Sequence, residues 1–356
     1  MAEPKICVGI IGVGRIAVEA HIPCLRNAGA EILALADVVP GRAKRFARQF
    51  GIPHAYDDYH ELLVRSDIQA VTIATPTCSH KDNATAALEA GKDVYLEKPP
   101  AMNEAEITGV VAAGRKAGKI FMVGSQSVYH FSVQTLKKHI EYGELGEIYF
   151  VKCSNVGRRG IPHGWYRLKR VAGGDAAIDG MSHMLDRILF LLDTPTPVSV
   201  TARTYLKFAE YLSRTDYMDM DFTEGRTKDI PVSDCEDLAA AFTQFDNGCT
   251  LMVDNARSSN MVGQNGTWIY GTKSGASFEP LRIYGETSWG TLTDIEPVYP
   301  KEPQTHVQMF RHFLECIREG KETLSPGERA IILMRIVDGI YKSQELGGGQ
   351  IYLDQA

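Results

Sequence analysis

A chain of 356 residues is longer than one hydrophobic core serves, so two domains are expected. Its 44% hydrophobic and 23% charged content is that of a water-soluble globular protein, and its net charge of -6 argues against a nucleic-acid partner, which needs a basic face. The apolar opening ICVGIIGVG is broken by Arg15 far short of the ~20 residues of a spanning helix, MAEPK lacks the regions of a secretory leader, and seven scattered cysteines without C-x-x-C spacing suit free thiols in a reducing cytoplasm.

From Lys5 to about Val123 short apolar runs alternate with helical stretches. KICVGIIG, EILALAD, AVTIAT, DVYLE and IFMVG read as strands buried on both faces. RIAVEAHIPCLRNAG, GRAKRFARQFG, TCSHKDNATAALEAG and NEAEITGVVAAGRKAG read as helices, three of them stopped by Ala-Gly. DDYHELL carries Asp58 and Glu61 in the spacing of a capping box. This alternation predicts a parallel sheet with helices on both faces. Beyond Val123 the rhythm changes to a helix over 132–142, a strand EIYFVKCSNV, a long loop and the helix AIDGMSHMLDRILFLL. Strands near 197–206, 238–245, 249–257, 266–271 and 275–284 then follow closely, which predicts an open, mostly antiparallel sheet, and two helical patterns close the chain. The fold class expected is α/β, a doubly wound parallel sheet over 1–124 followed by an α+β domain over 125–356.

The motif GVGRIA at 12–17 stands between the first strand and first helix. Gly12 permits a tight turn, Gly14 lets the backbone approach a pyrophosphate, and Ala17 allows close packing of helix on strand. Asp37 closes the second strand, where a dinucleotide's ribose hydroxyls need an acceptor. Gly12, Gly14, Arg15, Ile16 and Asp37 are therefore assigned to a cofactor. A carboxylate at 37 would repel a 2′-phosphate and Val38 and Val39 supply no cation, so NAD is favoured over NADP, with Arg42 close downstream. In EKPPAMNEAE, Lys98 follows the fifth strand at its carboxyl end, where ligands bind in such sheets, and Pro99 restricts its backbone. An ammonium there can stabilise an alkoxide-like oxygen. In AGGDAAIDGMSHMLDR, Asp179 and His183 are four apart on a predicted helix, hence on one face, where the carboxylate can bind a hydroxyl and the imidazole accept its proton.

GVGRIA, the strand-end EKP and GGDAAIDGMSH, in this order, resemble the Gfo/Idh/MocA oxidoreductases, which include glucose-fructose oxidoreductase and inositol 2-dehydrogenase. The resemblance covers about residues 5–354. It implies a Rossmann domain followed by a mixed α/β domain whose large open sheet serves oligomerisation, and hence a homo-oligomer. By the same resemblance Lys98 is the EKP lysine beside the nicotinamide, Asp179 and His183 are the D-x-G-x-H pair, and Thr75, Pro76 and His80 wall the cofactor. Glu97 and Gln126 complete the expected cofactor set. Met181 stands where the family commonly has glycine, and GSQSVYHFS at 124–132 lacks an arginine often found there; neither change removes a catalytic group.

The loop NVGRRGIPHGWYRLKRVAGG offers hydrogen-bond donors and flat apolar faces that suit a polyhydroxylated ring, and Arg159, His163, Trp165 and Tyr166 are its candidate substrate contacts. HAYDDYH at 54–60 gathers histidines and acids but coincides with a capped helix start, so no metal site is expected. The acid- and aromatic-rich segment 205–229 reads as a solvated loop, with an insertion over the active site or at a subunit contact as the alternative. The function expected is an NAD-dependent dehydrogenase acting on a secondary hydroxyl of a sugar, glycoside or cyclitol, with Lys98, Asp179 and His183 catalytic and a sugar or polyol as its partner. The alternatives are an NAD-retaining hydrolase, lyase or epimerase, and a non-catalytic regulator that binds NAD and sugar.

Overall fold

The structure, a computed structural model, describes residues 5–158, 160, 164–210, 232–263, 265–278, 280–299 and 304–353. The first unit is built on six parallel strands, β1 (Cys7–Ile11), β2 (Glu31–Ala36), β3 (His54–Tyr56), β4 (Ala70–Ile73), β5 (Asp93–Leu96) and β6 (Phe121–Val123). Their order is β3-β2-β1-β4-β5-β6, the doubly wound arrangement with its switch point between β1 and β4. Every residue of β4 and β5 is buried, so these strands read as unbroken apolar runs rather than alternating ones. The helices are α1 (Ile22–Ala28), α2 (Arg42–Phe50), α3 (Tyr59–Leu63), α4 (His80–Glu89) and α5 (Glu104–Ala117).

Local signals place most of these boundaries. Asp58 caps α3 by accepting from the His60 N–H at 2.9 Å. Asn103 caps α5, accepting from the Glu106 N–H at 2.9 Å, while the Glu106 carboxylate takes the Met102 N–H at 3.0 Å. Two features differ from the expectation. HAYDDYH begins with strand β3, paired to β2 through Ala34, Leu35 and Ala36, before the capped helix starts. The first helix opens with a turn wider than an α-helix, Ala17–His21, and only then tightens into α1.

The second unit carries α6 (Phe131–Glu141), β7 (Ile148–Val156), α7 (Lys169–Ala172), α8 (Met181–Leu191), β8 (Pro197–Tyr205), β9 (Leu238–Phe245), β10 (Thr250–Ala256), β11 (Gly266–Gly271), β12 (Gly275–Phe278), β13 (Arg282–Glu286) and β14 (Leu292–Ile295). Two helices, α9 (Thr305–Glu319) and α10 (Gly327–Glu345), and the short β15 (Ile351–Tyr352) follow. The nine-stranded sheet runs β14-β13-β12-β11-β7-β10-β9-β8-β15; β7 and β10 pair in parallel and its other pairs are antiparallel. The strand expected over 275–284 is two strands, because Pro280 lacks the N–H a continuous ladder needs. Residues 304–331, placed by sequence in the second domain, group with the first unit: α9 packs on α1 and buries Phe310, Phe313 and Leu314, each worth about 1.5–3 kcal/mol of apolar burial. The division between the units falls inside α10.

All seven cysteines are free. Among the described residues, no helix is long and apolar enough to cross a membrane, and no group of three His, Cys, Asp or Glu could hold a metal ion.

Candidate active site

The expected cofactor residues of the first unit gather at the carboxyl ends of its strands. Gly12 follows β1 with φ +86°, and a Cβ there would lie 2.6 Å from the Ala74 carbonyl oxygen. Both the backbone and the close approach of β4 therefore demand glycine. Gly14 is different: a Cβ would meet no atom within 4 Å, so nothing in the protein's own packing requires glycine there, and the cleared space suits an approaching phosphate. Arg15 is half-buried and pairs with Glu19 at 2.6 Å, and Ile16 is exposed beside the loop. Asp37 is buried at the end of β2, accepting from the Val13 N–H at 2.8 Å and from the Val39 N–H at 2.8 Å, with Arg42 Nη1 3.5 Å away. Glycine loop and carboxylate are thus locked together, a cradle that fits a dinucleotide. Gly12→Ala is expected to cost about 1–3 kcal/mol in backbone strain alone, lowering Tm and abolishing dinucleotide binding. Wild-type Tm and affinity in that variant would overturn this account of the turn.

Beyond β4 and β5 the walls are braced by buried polar groups. His80 is buried with Nε2 2.8 Å from the Thr75 carbonyl oxygen and Nδ1 2.8 Å from that of Pro99, so one ring spans both strand ends. Burial pushes its pKa down, and the two carbonyl acceptors push the other way. Asn83 donates to the Thr75 hydroxyl at 3.0 Å, and Pro76 leads into the tight turn Thr77–Ser79. Gln126 is half-buried at the start of the turn Gln126–Tyr129 just past β6.

Lys98 is half-buried, and its N–H donates to Glu97 Oε2 at 3.2 Å across from a cis bond to Pro99. Glu97 Oε1 meets His21 Nε2 at 2.9 Å and accepts from the Tyr95 hydroxyl at 2.9 Å, while His21 Nδ1 lies 3.1 Å from Thr72 Oγ1. Burial alone would raise the Glu97 carboxyl. The His21 hydrogen bond and charge, then the Lys98 charge and the Tyr95 hydroxyl, outweigh it and hold the carboxyl at about 2. Its folded pKa lies below the ordinary 4.5, so the stability it contributes is present above 4.5 and is lost as pH falls toward 2. The same carboxylate lies within electrostatic reach of the Lys98 ammonium.

In the second unit Asp179 and His183 do not share a regular helix as expected. Asp179 lies in a wider turn, Ala176–Gly180, and His183 on the first turn of α8, where its carbonyl accepts from the Ser127 hydroxyl at 3.4 Å. The physical cause is Asn255 on β10. Its side-chain amide donates to the Ala176 carbonyl at 2.9 Å and fills the space beside Gly180, where any Cβ would lie 2.0 Å from Asn255 Nδ2. Widened turns of this kind concentrate at functional sites.

Asp179 belongs to a buried cluster. Arg257, just past β10, directs Nε to Asp175 Oδ1 at 2.8 Å and Nη2 to Asp179 Oδ2. Glu236 Oε1 accepts from the Asp175 N–H at 3.1 Å, the Ala177 N–H at 2.9 Å and the Tyr341 hydroxyl at 2.9 Å. Burial pushes Asp175 up to about 7; Arg257 opposes the shift, while the charges of Asp179 and Glu236 reinforce it. One guanidinium does not offset three buried carboxylates, and the raised value falls on Asp175. The fold favours its protonated form, and the stability it contributes is lost as pH rises through about 7. Burial, and then Glu236, pushes the Tyr341 phenol well above its ordinary range, so it remains a donor. Trp165 and Tyr166 are half-buried and stack on each other at 3.8 Å between ring centroids. Arg159 and His163 lie outside the described residues, as do 211–231 of the acid-rich segment.

Family models match both halves of the chain: an oxidoreductase NAD-binding Rossmann fold over residues 6–125, and the C-terminal alpha/beta domain of the same family over 137–351. The chain belongs to the Gfo/Idh/MocA oxidoreductases. Among its relatives in this family, D-glucoside 3-dehydrogenase of Escherichia coli is 27% identical, covering 98% of this chain and 97% of that protein. The scyllo-inositol 2-dehydrogenase (NAD(+)) of Bacillus subtilis is 25% identical over 90% of this chain and 88% of its own length. The solved structure of levoglucosan dehydrogenase with NADH and levoglucosan shares the fold at a TM-score of 0.84, with 22% identity, 99% of this chain and all of that chain covered.

Sequence reasoning missed His21, Asp175, Glu236, Arg257 and Tyr341. Asp175 was within reach, because it follows Gly173-Gly174, and a Cβ at Gly174 would lie 2.0 Å from the Tyr341 hydroxyl and 3.0 Å from Glu236. Gly174 marks a place where backbone approaches a packed polar pair.

Proposed function

We propose that this oxidoreductase is an NAD-dependent dehydrogenase that oxidises a secondary hydroxyl of a sugar, glycoside or cyclitol, reversibly with the ketone. The observation that carries the reading is Asp179: a buried carboxylate fixed by Arg257 on a widened turn, four residues before a half-buried histidine. A fixed carboxylate is an acceptor for a sugar hydroxyl, and the imidazole supplies a proton acceptor near neutral pH. The names of the glucoside and inositol dehydrogenases among its relatives support the same substrate class. In this reading His183 takes the hydroxyl proton, Lys98 stabilises the negative charge that develops on the oxygen, and Asp179 holds a neighbouring hydroxyl. Gly12, Gly14, Asp37, Thr75 and His80 hold NAD, which when bound accepts the hydride from the carbinol carbon.

Incubation with NAD across a panel of sugars, glycosides and cyclitols tests this directly. Accumulation of reduced cofactor is the expected result. Product formed without accumulated NADH would replace the reading by internal, cofactor-retaining redox chemistry, and tight sugar binding with no chemistry would make the protein a regulator.

The preference for NAD rests on Asp37, whose carboxylate would meet a 2′-phosphate as a like charge even with Arg42 3.5 Å away. Asp37→Ala combined with Val38→Arg is expected to shift the ratio of kcat/KM for NADP to that for NAD by roughly 100-fold, the scale of losing one charge repulsion and gaining one charged hydrogen bond. Efficiency with both cofactors should fall, since Asp37 also accepts from the Val13 N–H. A wild type that uses NADP as well as NAD would defeat the assignment.

A further inference from the structure

Arg257 stands alone in sequence, one residue past β10, yet its side chain joins two acids that lie about 80 positions earlier in the chain. An arginine paired with one carboxylate commonly uses both ends of its fork on that group. Here the fork is divided, Nε on Asp175 and Nη2 on Asp179, so the guanidinium fixes the two acids relative to each other. Its own backbone is held as well, the Arg257 N–H donating to the Asp237 carbonyl at 2.8 Å. The strand beneath it is tied to the widened turn through Asn255, which also accepts from the Asn155 amide at 3.0 Å across the parallel β7–β10 pair. Glu236 and Tyr341 close the other side of Asp175. The Asp179 carboxylate is therefore tied to the sheet through the Arg257 guanidinium.

We infer that Arg257 is a positioning residue for substrate, clamping Asp179 against Asp175 so that the Asp179 carboxylate meets a substrate hydroxyl in a fixed orientation. A carboxylate has about four acceptor positions, so a bond to Arg257 is compatible with a second one to a substrate hydroxyl. The inference rests on the assignment of Asp179 to substrate, and its test reads binding separately from oxidation.

The decisive variant is Arg257→Lys. It keeps the cation and most of the stem, but a single ammonium cannot reproduce a planar fork reaching two carboxylates. Titration calorimetry of the NADH-loaded enzyme with methyl D-glucoside and with scyllo-inositol is expected to show roughly 10- to 100-fold weaker binding of whichever polyol the wild type binds, the scale of one charged hydrogen bond. KM should rise by the same factor, kcat should change less, and NADH affinity should stay put. Asp175→Asn, which keeps an oxygen for Nε, should lose less affinity than Asp175→Leu, which does not. A merely structural role predicts instead a lower Tm with unchanged polyol affinity, and that result would overturn the inference. Wild-type affinity in both Arg257→Lys and Asp175→Leu would overturn it too, as would a wild type that binds neither polyol. A wild type that binds but never oxidises sinks the dehydrogenase reading alone, and the affinity series still decides the role of Arg257.

Discussion

Lys98→Met is expected to lower kcat/KM for the physiological polyol by roughly 100- to 1,000-fold, the usual cost of removing one donor aimed at a developing oxyanion. Methionine keeps most of the volume and deletes the charge. Lys98 follows a fully buried strand, its own N–H is tied to Glu97, and the Glu97 carboxylate is kept anionic near it by His21 and Tyr95. The Lys98 ammonium therefore stands within electrostatic reach of a carboxylate that stays charged. Losing Lys98 takes away only a secondary part of what holds Glu97 ionised, because the His21 contact contributes more. The variant should accordingly fold with a nearly unchanged Tm, and the loss should fall on turnover more than on NADH affinity. Steady-state kinetics with calorimetric NADH titration check both halves of this. A variant with near-wild-type kcat would remove Lys98 from the chemistry and leave it a cofactor contact at most.

What the sequence disclosed and what it withheld divide along a physical line. Features carried by neighbouring residues were readable: the burial of β4 and β5 shows as continuous apolar runs, Gly12 and Asp37 fall at fixed offsets from strands, and Asp58 sits where a cap must be. Features created by long-range approach left faint marks or none. Glu97 reads as an ordinary acid until His21, 76 positions away, is brought to 2.9 Å from it. Arg257 reads as a surface charge after a strand until the β7–β10 pairing places it against Asp175 and Asp179. The helical phase at Asp179 misled for the same reason, since Asn255 intrudes from another strand and widens the turn. Glycine was the exception. At Gly174 and Gly180 a missing side chain signals that something distant has been packed into its place.

Proton transfer supplies the sharpest test of the residues in the second unit. If His183 is the base, oxidation needs a neutral imidazole, so kcat/KM should rise with pH through an ionisation whose unperturbed value is about 6.5. His183→Ala should remove that rise and lower the rate by roughly 100-fold or more, leaving NADH affinity unchanged. Asp175 complicates the profile, because burial pushes its carboxyl to about 7, into the same range. Two groups titrating together yield apparent constants that belong to the cluster rather than to either residue. The variants separate them. Asp175→Asn takes one ionisation out of the cluster and should leave a rise that still depends on His183, whereas His183→Ala should leave none. If the rise persists in His183→Ala and disappears in Asp175→Asn, the proton acceptor belongs to the acid cluster, and the imidazole only shapes the site. On the proposed mechanism, the effects of His183→Ala and Lys98→Met should also fail to add, since it has both groups serve one transition state. Full additivity in the double variant would mean that the two residues serve different steps, and the assignment of a single alkoxide-forming site would fall.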